Sequence, residues 1–312
     1  MTPDSIYISH APLYHTAPCL WTMAAHAMGV TTVVLQKFDP EGALDAIQRH
    51  RVTHGQFVPA MFVRMLKLPE DVRNSYDLSS LKRVVHAAAP CPVEIKKQMI
   101  DWWGPIVDEY YSSSEGAGVT FITADDWLAH PGSVGKPLLG EAHILDDNGD
   151  ELPAGEAGQI YFDMGAMGFV YHKDPEKTAQ ARDKHGWVTV GDVGYLDDDG
   201  YLFLTDRKHH MIISGGVNIY PQEAENLLVT HPKVLDAAVF GIPDDEMGQS
   251  VKGVVQTVDP ADATEAFGEE LLAWLRERLA HYKCPRSISF EAQLPRTDTG
   301  KLYKQELINK YS

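Results

Sequence analysis

Between Val30 and Val119, short β-branched or apolar runs alternate with stretches whose apolar residues recur at helical spacing. A chain patterned this way buries both kinds of face when the runs form a parallel sheet and the helices cover it. Val30 to Leu35, Val52 to Val58, Arg83 to Ala87 and Ile106 to Tyr110 are the strand candidates. Pro40 to His50 places Ala43, Leu44 and Ile47 on one helical face, and helices are also expected from Pro59 to Leu68 and from Pro92 to Trp103. A proline in the first turn forfeits no intrahelical hydrogen bond, so Pro59 suits a helix start. Beyond Pro131 the texture changes to short strands separated by turns such as Asp147-Asn148-Gly149 and Pro153-Ala154-Gly155, as in an antiparallel, barrel-like unit. Past Asp206, helices at 221–230 and 268–281 mix with strands at 234–240 and 253–257. The fold class expected is therefore α/β plus α+β. Residues 1–205 form a large domain, parallel α/β over 1–125 and antiparallel over 126–205; residues 206–312 form a smaller α+β domain behind a linker at 206–208.

The charge balance narrows the partners. Lys and Arg number 27 against 44 Asp and Glu, a formal charge of -17, which disfavours nucleic acid or an anionic membrane surface. An anionic ligand then needs a few local positive groups or a bound cation. Cys19, Cys91 and Cys284 are far apart and form no C-x-x-C pair, so they read as reduced thiols rather than a disulfide framework or zinc site. No basic segment leads into an apolar stretch at the start, and nowhere do eighteen apolar residues run together. A cytoplasmic location without signal peptide or membrane span is the expectation.

Four stretches carry chemistry. Tyr110-Tyr111-Ser112-Ser113-Ser114-Glu115-Gly116 follows a strand of the parallel part, and ligands in open α/β sheets collect at those strand ends. A hydroxyl and a carboxylate there can meet a phosphate and its magnesium, although Ser-Ser-Ser-Glu alone is an ordinary polar turn. His86-Ala87-Ala88-Ala89-Pro90 follows another strand with small residues that let backbone approach a flat ring. Asp192, in Trp187-Val188-Thr189-Val190-Gly191-Asp192, offers a carboxylate able to accept two vicinal hydroxyls. Pro295-Arg296-Thr297-Asp298-Thr299-Gly300-Lys301 places an ammonium on a long flexible stem in a loop. Lys304, three residues on, reads as a surface charge, as do His209 and His210. His50 and His54 lack the Glu of a helical zinc motif, and Gly165-Ala166-Met167-Gly168 lacks the dinucleotide-binding order.

Taken in order, these stretches resemble the AMP-forming acyl-CoA synthetases of the adenylate-forming superfamily, over essentially all 312 residues. The resemblance implies that Tyr111 lies against adenine, that Ala87, Ala88, Ala89 and Pro90 line the adenine pocket, that Ser114 contacts phosphate and that Glu115 holds magnesium. Ser114 replaces the usual Thr, Ser112 and Ala87 each replace a Gly, and Val190 replaces a Thr. It further implies that Asp192 and Arg207 hold the ribose and that Lys301 stabilises charge as the acid is transferred to the α-phosphate. Gly215 and Gly216, in Ile213-Ser214-Gly215-Gly216, correspond to the part of a small mobile domain that admits the pantetheine of coenzyme A. His15, in Pro12-Leu13-Tyr14-His15, lies beside the acyl site; Gly118, Phe57 and Pro59 are guesses at its wall. His209 occupies the hinge, where Lys or Asp is usual.

The resemblance implies ATP, magnesium and coenzyme A acting on a small carboxylic acid, with a fatty acid the first expectation. It also has a gap. The Gly/Ser/Thr-rich phosphate loop that precedes these motifs in the family is not among the 312 residues, so the chain reads as a fragment with a truncated large domain and weak or no independent turnover. A sheet without its neighbouring strands has an unpaired edge, and self-association through it is expected. A non-catalytic nucleotide or acyl-binding module, and an adenylation domain loading a carrier protein, are the alternatives.

Overall fold

The computed structural model describes residues 1–207, 210–297 and 302–312. The alternating first third forms five parallel strands: β1 (Ile6–Ser9), β2 (Thr31–Val34), β3 (His54–Phe57), β4 (Arg83–His86) and β5 (Val107–Ser112). They lie in the order β2-β1-β3-β4-β5. β1 has no counterpart among the expected strands, and β5 runs two residues further than its apolar run, carrying Tyr111 and Ser112 into the sheet.

The sheet changes hand of pairing at β6 (Val119–Ile122), which runs antiparallel to β5 and to β7 (Ser133–Leu139). From β7 it continues through β11 (Leu202–Arg207), β10 (Asp192–Leu196), β9 (Gly158–Asp163) and β8 (Glu141–Leu145), so one path of eleven strands joins the parallel and antiparallel parts. Asp206 and Arg207, expected in the linker, end β11 opposite Val193 and Asp192.

A second sheet holds β12 (Ile212–Ser214), β13 (Val217–Ile219), β14 (Val234–Asp244) and β15 (Gly248–Thr257), with β16 (Ser287–Phe290) parallel to β15. Pro243 is accommodated because β14 pairs on one side only. Each sheet has its own core. Ile8, Phe57, Phe62, Met99 and Trp127 fill the first, under the helices Pro40–His50, Pro59–Leu66 and Val93–Trp103. Leu228, Val239, Val255, Leu271 and Leu275 fill the second, under the helices Gln222–Leu228 and Glu265–Arg276.

Candidate active site

Parallel strands deliver their C-terminal ends to one edge of the sheet, and both polar stretches of the first part lie there. β4 ends at His86 and β5 runs on through Tyr111, with His86 opposite Glu109 in the ladder. The Tyr111 hydroxyl donates to Asp192 Oδ2 at 2.6 Å. Arg207 Nε stands 3.1 Å from Asp192 Oδ1, an approach that the β10–β11 register enforces by placing the two residues opposite one another. Three residues spread over nearly a hundred positions thus converge on one carboxylate. Burial, and then the Asp192 carboxylate, push the Tyr111 phenol well above its ordinary range. It therefore stays a donor across neutral pH, and its ring packs 6.3 Å from Phe162.

Beyond β5 the chain turns sharply. Gly118 has φ of +152°, and a Cβ built there would stand 2.3 Å from the Phe162 ring, so glycine is required on both counts. Ser114 and Glu115 lie just before it, and each is held by a residue that sequence reasoning missed. Ser114 Oγ is 2.9 Å from Thr16 Oγ1, and Glu115 Oε1 accepts a hydrogen bond from the Tyr171 hydroxyl at 3.1 Å. His15 immediately precedes Thr16 as the residue before the helix Thr16–Ala27, its ring tilted against that of Tyr14 at 4.6 Å between centroids, so it stands beside the Ser114 loop. No periodicity signals Thr16 or Tyr171. Each is visible only once the fold brings it to the loop.

The loop after β4 is strained. Ala88 adopts a left-handed φ of 78°, which costs an L residue about 1–2 kcal/mol. Ala87 is buried, while Ala88 and Ala89 face solvent and Pro90 is half-buried. Beneath this loop lies a group of polar side chains inside the apolar core. Lys96, wholly buried, donates to Glu109 Oε2 at 2.7 Å, and His86 Nε2 stands 3.3 Å from the same oxygen. Burial, reinforced by the Lys96 ammonium, holds His86 well below its usual range and so neutral, whereas burial pushes the Glu109 carboxyl up against the opposing pull of Lys96. A signal for this group exists in the sequence. Lys96 falls on the apolar stripe of Ile95, Met99, Ile100 and Trp103, whereas Glu109 follows another carboxylate, Asp108, in its strand and carries no such mark.

The remaining motif residues that the structure describes lie in or beside the second sheet. Gly215 and Gly216 form the two-residue turn of the β12–β13 hairpin, both with positive φ as a tight hairpin of this length demands. The Gly215 N–H donates to Met247 O, within the same sheet. Lys301 and His209 lie outside the described residues. Arg296, from the same motif as Lys301, forms a two-pronged ion pair with Asp236. Lys304 corrects the expectation of a surface charge: it is buried and stands 2.7 Å from Glu225 Oε1. Phe57, guessed at an acyl wall, is instead packed in the core against His10, Phe62 and Trp103.

Among the described residues, one group of three metal-ligating side chains comes together, His130, Asp197 and Asp199. It lies on the antiparallel part rather than at Glu115. Among the described residues, no helix is long and apolar enough to cross a membrane.

Comparison with known proteins bears on the family and the fold. The AMP-binding enzyme family matches residues 1–171, and its C-terminal domain matches residues 223–301. The chain is 37% identical over 316 residues to a feruloyl-CoA synthase from an Amycolatopsis species, covering 100% of this chain and 62% of that protein. It is 35% identical over 285 residues to a long-chain-fatty-acid–CoA ligase of Bacillus subtilis, covering 91% of this chain and 50% of that protein. The structure of the amide bond synthetase McbA from Marinactinospora thermotolerans superimposes with a TM-score of 0.85 at 33% identity, covering 99% of this chain and 63% of that one. The chain thus spans half to about three-fifths of the length of these relatives. With the motif residues in order, the fold in agreement and more than half its length matched, the chain belongs to the AMP-binding enzyme family.

Proposed function

We propose that the chain carries the nucleotide and acyl-transfer portion of an AMP-forming acid–thiol ligase. In the first half-reaction a carboxylate oxygen attacks the α-phosphorus of ATP, the bond to pyrophosphate breaks, and acyl-AMP remains. In the second, the sulfur of coenzyme A attacks the acyl carbon, AMP leaves and the thiol proton goes to solvent. The observation that carries this reading is the convergence of Tyr111 and Arg207 on Asp192. A carboxylate so placed can accept both ribose hydroxyls, with the Tyr111 ring against adenine and the 87–90 loop as the other face of the ring's pocket.

Glu115 fits a magnesium site of the kind completed by phosphate oxygens, since it offers one half-buried carboxylate oriented by Tyr171, with the Ser114 hydroxyl adjacent in the chain. Bound there, magnesium would neutralise phosphate charge. Lys301 is assigned the charge that develops at the α-phosphate, and removal of such a group typically costs roughly a hundredfold or more in rate. His15 is assigned to the acyl side, Gly118 to the floor that Phe162 restricts, Gly215 and Gly216 to the coenzyme A passage and His209 to the hinge. In this reading residues 1–205 and 206–312 are separate domains, the smaller one mobile, in a cytoplasmic enzyme. The two CoA-ligase relatives support aryl and fatty acids alike as the acid class.

The test is pyrophosphate release from ATP with a panel of aryl and fatty acids, on this chain and on the chain supplied with the family's phosphate-loop portion. Acid-dependent release is expected in the second case, and Asp192→Asn is expected to weaken AMP binding about tenfold to a hundredfold. AMP binding unaffected by Asp192→Asn overturns the assignment of the ribose site. Coenzyme A and an amine are both offered as acceptors, because the amide bond synthetase relative makes the acceptor an open choice; thioester formation is the expected outcome. Binding of AMP without product under every acid would favour a non-catalytic module.

A further inference from the structure

The adenine loop runs from the end of β4 to the helix Val93–Trp103, and its only left-handed non-glycine residue is Ala88. A strained turn persists when its surroundings over-determine it. Here both ends of the loop meet at a single buried oxygen: Lys96, in the first turns of the helix after it, donates to Glu109 Oε2, and the neutral ring of His86, the residue before the loop, packs 3.3 Å from the same oxygen without a hydrogen bond. Glu109 is itself two residues before Tyr111 on the neighbouring strand. The Lys96 ammonium also lies 4.8 Å from the Trp127 ring centroid, which closes the site from the far side.

Placing these groups in an apolar core opposes folding unless they pair, and a hydrophobic exchange of the same volume is often as stable. The pair is therefore poorly explained by stability alone. We infer that Lys96 and Glu109, with His86, are positioning residues for the nucleotide site. They lock the loop 87–90 and Tyr111 to one another, so that the adenine pocket is formed before its ligand arrives. The inference rests on the reading of that loop as an adenine site.

Calorimetric titration with AMP tests both and tells them apart. In Lys96→Met/Glu109→Met the charges go together, so a cooperative thermal transition near the parent's midpoint is expected. AMP should nonetheless bind about tenfold more weakly, the factor that the left-handed penalty at Ala88 converts to once nothing holds the loop. Adding Ala88→Gly, which removes that penalty, should restore part of the affinity, an effect that a merely structural pair would not produce. AMP binding within twofold of the parent by the folded double variant overturns the inference and leaves the nucleotide reading standing. Failure of the parent chain to bind AMP sinks both. Should the double variant not fold, Glu109→Gln, which keeps the shape but removes the carboxylate charge that holds Lys96, carries the same test: weaker binding is expected, and parent-like binding overturns the proposal.

Discussion

His10 shows what a single buried group does to the pH range of this fold. It is 1% exposed, with its ring centroid 4.2 Å from that of Phe57 and 5.4 Å from that of Phe38, and burial lowers its pKa to about 3. An unfolded chain takes up this proton near pH 6.5, while the folded chain refuses it until far lower. The sign follows: the contribution is present above pH 6.5 and is lost as pH falls towards 3. Between pH 7 and pH 5 the loss is roughly 2 kcal/mol. His10→Leu, which fills the apolar site with an apolar side chain, should reduce the pH 7 to pH 5 drop in urea midpoint by a corresponding amount. An unchanged drop would show that His86 and the other buried groups carry the acid sensitivity. At this scale the motif residues were legible because their types and order are specific. Their supports were not, since Thr16 lies 98 positions from Ser114 and Tyr171 lies 56 from Glu115.

Elements were legible where one face is apolar and the other polar. The helices Pro40–His50 and Val93–Trp103 carry such a face, and the strands β2 to β5 stand out instead as short β-branched or apolar runs. The helix Thr16–Ala27 was not legible, because Leu20 and Met23 are exposed while Thr22 and Ala25 are buried, so its pattern has no single apolar stripe. The helix Glu265–Arg276 was placed three residues late, at Gly268. Its true start is set by Thr264, whose hydroxyl accepts from the Phe267 N–H at 3.2 Å, and Gly268 sits inside it, close to the Phe290 ring. Thr264→Ala should destabilise the second sheet and its helices by about 1 kcal/mol, the usual worth of such a cap. Chemical denaturation followed by Trp274 fluorescence would register it, and no loss would mean that Glu265 and packing suffice to start the helix.

At the scale of the whole molecule, the first sheet is covered unevenly. Among the described residues, β2 lies at its end and pairs only with β1, and Val34 is exposed. The helix Thr16–Ala27 packs beside it, and Leu13, Tyr14, Leu20, Met23 and Met28 on and around that helix are also exposed. Elsewhere on the chain, exposed large apolar residues are more scattered along the sequence. An unpaired parallel edge beside an apolar helix face favours association, since both can be removed from water by one partner. The charge of -17 opposes this, but over short range only, because salt screens it within about 10 Å at 0.1 M. Sedimentation velocity of the chain alone should therefore show concentration-dependent association that strengthens with added salt, as charge repulsion is screened and apolar contact is not. Leu20→Glu/Met23→Lys, which adds one charge of each sign and leaves the net charge unchanged, should reduce it. A monomer at all concentrations, or association that salt disrupts, would remove the sheet edge and the apolar helix as its cause.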